Sequence, residues 1–517
     1  MTIRPDLIEK LRAKRAKLTE NVSPEKLEAL HAKGLLSARE RLETLFDEGT
    51  FQELGLYAAH AATAFGMAGR VLPADGVIAG NGYVGPGQVA AFSQDFSVVA
   101  GTLGKMQARK ITRIMRHALK TGVPLVAFKD SGGARIQEGV DALSGYGDVF
   151  YANVLMSGVV PQIAVICGPC AGGAAYSPAL MDFVIMTRNN AHMFLTGPEV
   201  IKAVTGRATT MAEVGSAEMH STVSGNAHFV AEDDRHAITL VKQILSYLPA
   251  NNTEDPPHDL SVPIEEMEDP GINDCIPDSP SEPLDMYAVI RRVVDNGELL
   301  EVHAGFARNV IVGFARISGV VVGLVANQPM VMAGALDLNA ADKVARFVRT
   351  CNIFNVPLVT LVDVPGFLPG VEQERGGIIR HGAKMLSAYG SCTAPKITVI
   401  LRKAYGGSYL AMCSQEMGAD MVYAWPTAEI AVMGAEAAVK ILYRKELEQA
   451  EDRQARAAEL AQEYRDEFAS PYVSASNFYI TDVIEPQDTR WMVALALRKI
   501  LDKRELRPAK KHGNIPM

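Results

Sequence analysis

Two glycine pairs carry the chemistry that this sequence can be read for. Gly172-Gly173 lies in VICGPCAGGAAYSPAL (Val165 to Leu180), and Gly406-Gly407 lies in PKITVILRKAYGGSYL (Pro395 to Leu410). Each stands at the step from an apolar run into a small-residue helical segment. Glycine has no Cβ, so a ligand can approach the backbone closely. The first turn of a helix has N–H donors without intrahelical partners and the positive end of the helix dipole. Together these make an oxyanion hole, in which each preorganised donor is commonly worth about 2.7–4 kcal/mol to a developing negative charge. The first stretch also spells a rival motif. Cys167-Gly168-Pro169-Cys170 has the spacing of a thiol redox site.

An internal repeat chooses between them. VPLVAFKDSGG (Val123 to Gly133) matches VPLVTLVDVPG (Val356 to Gly366), so Asp130 falls on Asp363 at an offset of 233. Gly172-Gly173 falls on Gly406-Gly407 at 234, and Gly197 of MFLTGPEVI falls on Gly434 of IAVMGAEAA at 237. Leu401 and Ala404 occupy the places of Cys167 and Cys170. The duplication keeps the glycines and drops the cysteines. The two thiols are therefore read as buried strand-end side chains, and no second CxxC pair exists for a zinc site. Close helix–strand packing also uses glycine, but recurrence in both halves favours the oxyanion reading.

The elements that position these pairs follow from the pattern. Runs such as PLVAF, QIAVI and DFVIM alternate with helical patterns such as KITRIMRHALKTG, which predicts α/β domains with largely parallel sheets. The Pro- and acid-rich stretch after Pro249 separates the halves. We expect an N-terminal domain over 1–258, a linker over 259–283 and a C-terminal domain over 284–517. Ala437 to Phe468 reads as one long charged helix, and the first twenty residues read as an amphipathic helix rather than a signal peptide. DSGGARIQEG (Asp130 to Gly139) and DVPGFLPGVEQERGG (Asp363 to Gly377) both follow the C-terminal end of a buried strand, where α/β ligand crevices lie. Each holds an Arg, Arg135 and Arg375, which suits an anionic or thioester ligand.

Two further glycine motifs are excluded. Gly80-Asn81-Gly82-Tyr83-Val84-Gly85 spells G-x-G-x-x-G between two strands of a hairpin, with no helix to receive a pyrophosphate. Gly101 to Met106 is too short for a P-loop and lacks the hydroxyl after its lysine.

The bulk composition is that of a globular protein. The 517 residues are 48% hydrophobic and 21% charged, with a formal net charge of −8 that weighs against nucleic-acid binding. No run of about 18 apolar residues predicts a membrane span. Six cysteines, mostly in apolar segments, fit a cytoplasmic location rather than a disulfide framework.

DSGGARIQEGVDALSGYG, GVVPQIAVICGPCAGGAAYSPALMDF, DVPGFLPGVEQERGGIIRHGAKML, RKAYGGSYLAM and AWPTAEIAVMGAEAA resemble the carboxyltransferase subunits of biotin-dependent acyl-CoA carboxylases. The resemblance covers nearly the whole chain, from LSARERLETLFDEGTF to KKHGNIPM. It extends to propionyl-CoA carboxylase β subunits, the methylmalonyl-CoA transcarboxylase large subunit and methylmalonyl-CoA decarboxylase α subunits.

That resemblance implies an α/β fold of two tandem crotonase (ClpP-like) domains. It implies a hexamer with active sites between the N-terminal domain of one subunit and the C-terminal domain of another. By the same resemblance acyl-CoA, a coenzyme A thioester, sits on the N-terminal domain and biotin on the C-terminal one. The matching motifs imply that Gly172 and Gly173 hold the thioester oxygen, and that Gly407 and Ser408 hold the biotin ureido oxygen. They also imply that Gly133, Ala134, Tyr146 and Leu410 contact substrate. In the implied chemistry carboxybiotin releases CO₂, and the ureido nitrogen takes the α-proton. No protein base is then required, and His192 and His381 are expected to be structural. The implied partners are a biotin carboxyl carrier protein that bears the biotin, and a biotin carboxylase subunit.

The expected reaction is carboxyl transfer from carboxybiotin to propionyl-CoA, giving methylmalonyl-CoA. Many propionyl-CoA carboxylases read Tyr-Gly-Gly-Ala-Tyr-Asp where this chain has Tyr405-Gly406-Gly407-Ser408-Tyr409-Leu410. The Ser and Leu look more like the transcarboxylase or decarboxylase subunits, which work in the reverse direction. A non-catalytic ClpP-like scaffold is the alternative of another class. A ClpP-like protease is disfavoured by the lack of a Gly-x-Ser-x-Gly elbow.

Overall fold

A computed structural model describes residues 4–19, 22–264, 268–277, 279 and 282–517. The first eight strands form one sheet. They are β1 (Gln52–Leu54), β2 (Val77–Val84), β3 (Gly87–Gln94), β4 (Leu125–Ser131), β5 (Gln162–Ala171), β6 (Phe183–Thr187), β7 (His192–Phe194) and β8 (Phe229–Ala231). The order is β1-β2-β3-β4-β5-β6-β8, with β7 paired to β5. The β1-β2-β3 pairings are antiparallel and all others are parallel. The G-x-G-x-x-G segment lies in the β2–β3 hairpin, as expected.

Eight more strands repeat this plan: β9 (Leu300–Val302), β10 (Val310–Ile317), β11 (Val320–Asn327), β12 (Leu358–Val364), β13 (Lys396–Tyr405), β14 (Met421–Ala424), β15 (Glu429–Ala431) and β16 (Asp482–Val483). Their order is β16-β14-β13-β12-β11-β10-β9, with β15 paired to β13. The two sheets belong to separate compact units, Met1–Glu254 and Asp255–Met517.

The repeat extends to single residues. In the first sheet Lys129 pairs with Ile166, the register then shifts, and Ser131 pairs with Cys170. In the second, Val362 pairs with Ile400, the same shift follows, and Val364 pairs with Ala404. The helix leading into β4, Lys105–Thr121, buries Ala108, Ile111, Met115 and Ala118 on one face and ends at Gly122 in the left-handed region. Its counterpart Leu338–Ile353 buries Ala341, Val344, Val348 and Cys351. Lys110 and Lys343, 233 residues apart, both bury their ammonium groups against backbone carbonyls. Lys110 reaches the carbonyls of Ala74 and Val77, and Lys343 reaches those of His303, Phe306, Ala307 and Val310.

Three expectations about secondary structure change in detail. The long helix over 437–468 is three shorter helices, Ala435–Leu442, Arg444–Gln449 and Arg453–Tyr464, followed by a π-turn. The break falls before Asp452, whose carboxylate accepts the N–H groups of Gln454 and Ala455 and starts the last helix afresh. The N-terminal helix spans Pro5–Thr19 but buries none of its residues. The stretch expected as a linker holds a 3₁₀ turn, Pro270–Cys275, whose Ile272 is fully buried in the core of the second unit. Residues 265–267, 278, 280 and 281 of that stretch lie outside the described residues.

Candidate active site

The loop after β4 is pinned by a single bridge between Leu103 and Ala134. Leu103 N–H donates to Gly133 O at 2.9 Å, and Arg135 N–H donates to Leu103 O at 2.9 Å. A parallel bridge of this kind uses the residues on either side of Ala134, so Ala134 N–H points away from it. Gly133 has φ 104°, and a Cβ there would stand 3.1 Å from Ala171 O. The loop therefore lies directly against the end of β5.

At that end Gly172 has φ 58° and donates its N–H to Phe194 O at 2.9 Å. This corrects the expectation for Gly172 as an oxyanion donor. Its N–H is held by the extension of the β5–β7 pairing, and its left-handed backbone turns the chain into the Gly173–Ala179 helix. Gly173 N–H is the first of that helix and finds no acceptor among the described residues. Ala134 is three residues past Ser131 and Gly173 three past Cys170, and Ser131 pairs with Cys170. Two N–H donors thus leave adjacent strands at the same level.

The second unit repeats the device. Leu336 bridges Phe367, with Leu336 N–H donating to Gly366 O at 3.0 Å and Leu368 N–H to Leu336 O at 2.8 Å. Phe367 is three residues past Val364 and Gly407 three past Ala404, which pair across β12 and β13. Phe367 N–H is therefore the counterpart of Ala134 N–H. Sequence reasoning missed it, although the 233-residue offset from Ala134 was available to find it. Gly407 and Ser408 lie in the first turn of the Gly406–Ala411 helix, where N–H groups have no intrahelical acceptor. The Ser408 hydroxyl donates to Tyr405 O at 2.6 Å, so its side chain is committed. A Cβ on Gly407 would meet nothing within 4 Å, whereas one on Gly173 would touch the Tyr146 ring at 3.2 Å.

Tyr146 is buried behind Gly173, and burial raises its hydroxyl pKa. It begins an aromatic chain with Phe150 and Tyr176. Leu410 is 40% exposed, so it is not a core side chain. Arg135 is not available to a ligand. Its fully buried guanidinium bonds Asp75 at 2.6 Å and Glu138 at 2.8 Å, and it also donates to Thr102 O. Arg375 is exposed in the short helix Val371–Gly376.

Behind each loop lies a buried ion pair of different construction. Arg41 donates to Asp130 at 3.2 Å and to Asp234 at 2.8 Å. Burial pushes the Asp130 carboxyl up to about 6, against the pull of Arg41. In the second unit Arg402 donates to Asp363 at 2.7 and 2.8 Å. The repeat places Gly168 where Arg402 stands. A Cβ on Gly168 would come 2.3 Å from Asp130 Oδ1, so this glycine makes room for the carboxylate. A cavity of about 270 Å³ opens beside Asp130 at the carboxyl ends of β3 and β4, with Lys26, Lys33 and Phe96 on its wall.

Cys167 and Cys170 are fully buried, and burial raises both thiols, Cys170 to about 12. Such thiols carry almost no thiolate at neutral pH. Treating the native protein with iodoacetamide at about pH 7.5 should leave both unmodified by mass spectrometry, with the half-exposed Cys275 alkylated first. Early labelling of the CxxC pair would reopen the redox reading.

The sequence matches the carboxyl transferase domain family over residues 29–515. It is 54% identical to the methylmalonyl-CoA carboxyltransferase 12S subunit of Propionibacterium freudenreichii subsp. shermanii, over 98% of this chain and 97% of that protein. It is 53% identical to the propionyl-CoA carboxylase beta chain of Saccharopolyspora erythraea, over 94% of this chain and 91% of that one. The crystal structure of the transcarboxylase 12S hexamer, with methylmalonyl-CoA and methylmalonic acid bound, superposes with a TM-score of 0.96 at 53% identity. It covers 100% of this chain and 99% of that one. The duplicated α/β units described above are thus of the crotonase-like fold.

Proposed function

The chain belongs to the carboxyl transferase domain family, and on that footing we propose that it is a biotin-dependent acyl-CoA carboxyltransferase. Its reaction is the transfer of a carboxyl group between carboxybiotin and the α-carbon of a short-chain acyl-CoA, propionyl-CoA giving methylmalonyl-CoA. The observation that carries this reading is the doubled donor pair, Ala134 with Gly173 and Phe367 with Gly407, built at matching register.

The first pair receives the thioester oxygen. When the α-carbon gives up its proton, charge moves onto that oxygen, and two N–H donors fixed by the backbone stabilise it without reorganisation. Tyr146 backs Gly173 and keeps the helix start in place. The cavity beside Asp130 offers the ammonium groups of Lys26 and Lys33, and the Phe96 ring, to the polar end of coenzyme A. Asp130 itself is held by Arg41.

The second pair, with Ser408 N–H, receives the ureido oxygen of biotin. The open space over Gly407 fits a flat ring approaching the backbone. Biotin supplies the carboxyl carrier and the basic nitrogen that side chains of this chain do not. The same reading gives a hexamer served by a biotin carboxyl carrier protein and a biotin carboxylase subunit. An exposed apolar stripe on the helix Val140–Met156, with Leu143, Tyr151 and Val154 more than half exposed, supports burial in an assembly.

Identities of 54% to a transcarboxylase subunit and 53% to a carboxylase subunit do not choose the net direction. Ser408 and Leu410 favour the transcarboxylase direction as a second reading. Incubating the protein with methylmalonyl-CoA and free biotin tests the half-reaction common to both. Carboxyl exchange supports it, and no exchange with any acyl-CoA leaves a non-catalytic scaffold.

Leu410 supplies a specificity prediction. It stands three residues past Gly407 and is partly exposed, so an apolar acyl group can meet it. The wild type should prefer propionyl-CoA over acetyl-CoA roughly tenfold, the worth of one methylene. Leu410→Asp should change that ratio of kcat/KM more than it changes the melting temperature. An unchanged ratio removes Leu410 from the substrate pocket.

A further inference from the structure

Lys129 is buried in β4 at 3% exposure, and its environment is unlike that of the other buried lysines. Lys110, Lys343 and Lys396 each donate to two or more backbone carbonyls. Lys129 Nζ has one hydrogen-bond acceptor among the described residues, Ser177 Oγ at 3.1 Å, and lies 4.8 Å from the centroid of the Phe92 ring. No carboxylate pairs with it among the described residues. Its neighbour in sequence, Asp130, bonds Arg41 instead.

The hydrogen bonds continue inward from there. The Ser177 hydroxyl donates to Asn153 Oδ1 at 2.9 Å, and Asn153 Nδ2 donates to Gln162 Oε1 at 2.9 Å. Ser177 is four residues past Gly173 on the same helix, about 6 Å along its axis. Lys129 is two residues before Ser131, from which the Ala134 loop departs. The ammonium therefore braces the helix whose first N–H is the oxyanion donor.

The repeat provides an internal control. The register-matched partner of Lys129 is Val362, and the residue four past Gly407 is Ala411. Both are fully buried. The same fold thus packs an apolar pair at these positions in the unit assigned to biotin. An unpaired buried ammonium is costly, and the fold does not demand one here.

Building on the proposed carboxyltransferase reading, we propose that Lys129, through Ser177, is a positioning residue of the acyl-CoA half-site, holding the Gly173 donor and supplying positive potential as the enolate forms. The second unit, which the same reading gives to the ureido oxygen of biotin, packs an apolar pair at these positions instead. The groups facing Lys129 among the described residues are Ser177 on the helix, the Phe92 ring, and Cys170 on β5, whose thiol burial pushes up to about 12. Burial lowers Lys129 to about 8, so it is the group in this cluster that changes charge in the mildly alkaline range. The ammonium is present below that pH and is lost as pH rises through it.

The test compares wild type with the double variant Lys129→Val/Ser177→Ala, the apolar pair that the second unit already packs. Melting temperature and hexamer content should be retained. The kcat for carboxyl transfer from methylmalonyl-CoA to free biotin should fall roughly 10- to 100-fold, less than the loss of a direct donor. KM for the acyl-CoA should stay within about twofold, because an interaction made only in the transition state is lost. The wild-type kcat should decline above about pH 8, and that limb should vanish in the variant. In ¹³C NMR, bound [1-¹³C]propionyl-CoA should show a smaller downfield displacement of its carbonyl in the variant. A folded variant with unchanged kcat, pH limb and carbonyl shift overturns this proposal alone. Wild type that neither binds propionyl-CoA nor exchanges carboxyl overturns the functional reading, and this proposal with it.

Discussion

Gly407→Val is expected to fold, assemble and lose carboxyl transfer by at least about 10²-fold, the scale of one lost oxyanion donor. The position tolerates the side chain in the free protein because its Cβ meets nothing within 4 Å and its φ is not in the left-handed region. The space that the valine fills is the space that the proposed reading gives to the ligand. Gly173→Val is a less clean probe, since its Cβ would press the Tyr146 ring at 3.2 Å and shift the helix start. Acyl-CoA binding to Gly407→Val, measured by calorimetry, should match wild type, because the proposed reading puts the thioester-oxygen donors on the first unit. Near-normal transfer by a folded Gly407→Val protein would remove the oxyanion role of the second glycine pair.

The largest loss of stability is expected at Asp363. Asp363→Ala leaves the Arg402 guanidinium, 7% exposed, without its carboxylate and strips an acceptor from Lys403 N–H. Breaking a buried pair from one side costs about 3–5 kcal/mol. Asp130→Ala in the first unit should cost less, because Arg41 keeps Asp234 at 2.8 Å. The measurement is the pair of unfolding midpoints in urea. Asp363→Leu combined with Arg402→Met should recover much of the loss, since neither charge is then stranded. Equal midpoints for Asp363→Ala and Asp130→Ala would mean that the two ion pairs are not built differently after all.

The same pair shows where sequence reasoning stops. Asp130 and Asp363 align at once in the repeat, and both mark strand ends. Their partners do not align: one arginine comes from residue 41 and the other from residue 402. Nothing in either local motif says so, because an ion pair is a property of what the fold brings near. Arg135 is the opposite case. Its place in a glycine loop suggested an anionic ligand, and the fold instead buried it against Asp75, sixty residues earlier. The charged stretch 437–468 has strong helix formers throughout, yet Asp452 caps a new helix inside it.

By itself the sequence determined the duplication, the parallel α/β character, the two glycine turns and the dismissal of the CxxC and G-x-G-x-x-G motifs. These are periodic or repeated signals, written in residues adjacent along the chain. Only the tertiary structure decided which N–H groups are free. Gly172 and Gly173 are chemically the same residue, but β7, about twenty positions later, takes the N–H of the first and leaves that of the second. Phe367 has no side-chain chemistry to mark it, and it becomes a candidate donor because Leu336 bridges it from another loop. An oxyanion hole is made of backbone groups, and every residue except proline has one. Its location is therefore set by hydrogen-bond register between distant segments, which composition and spacing do not encode.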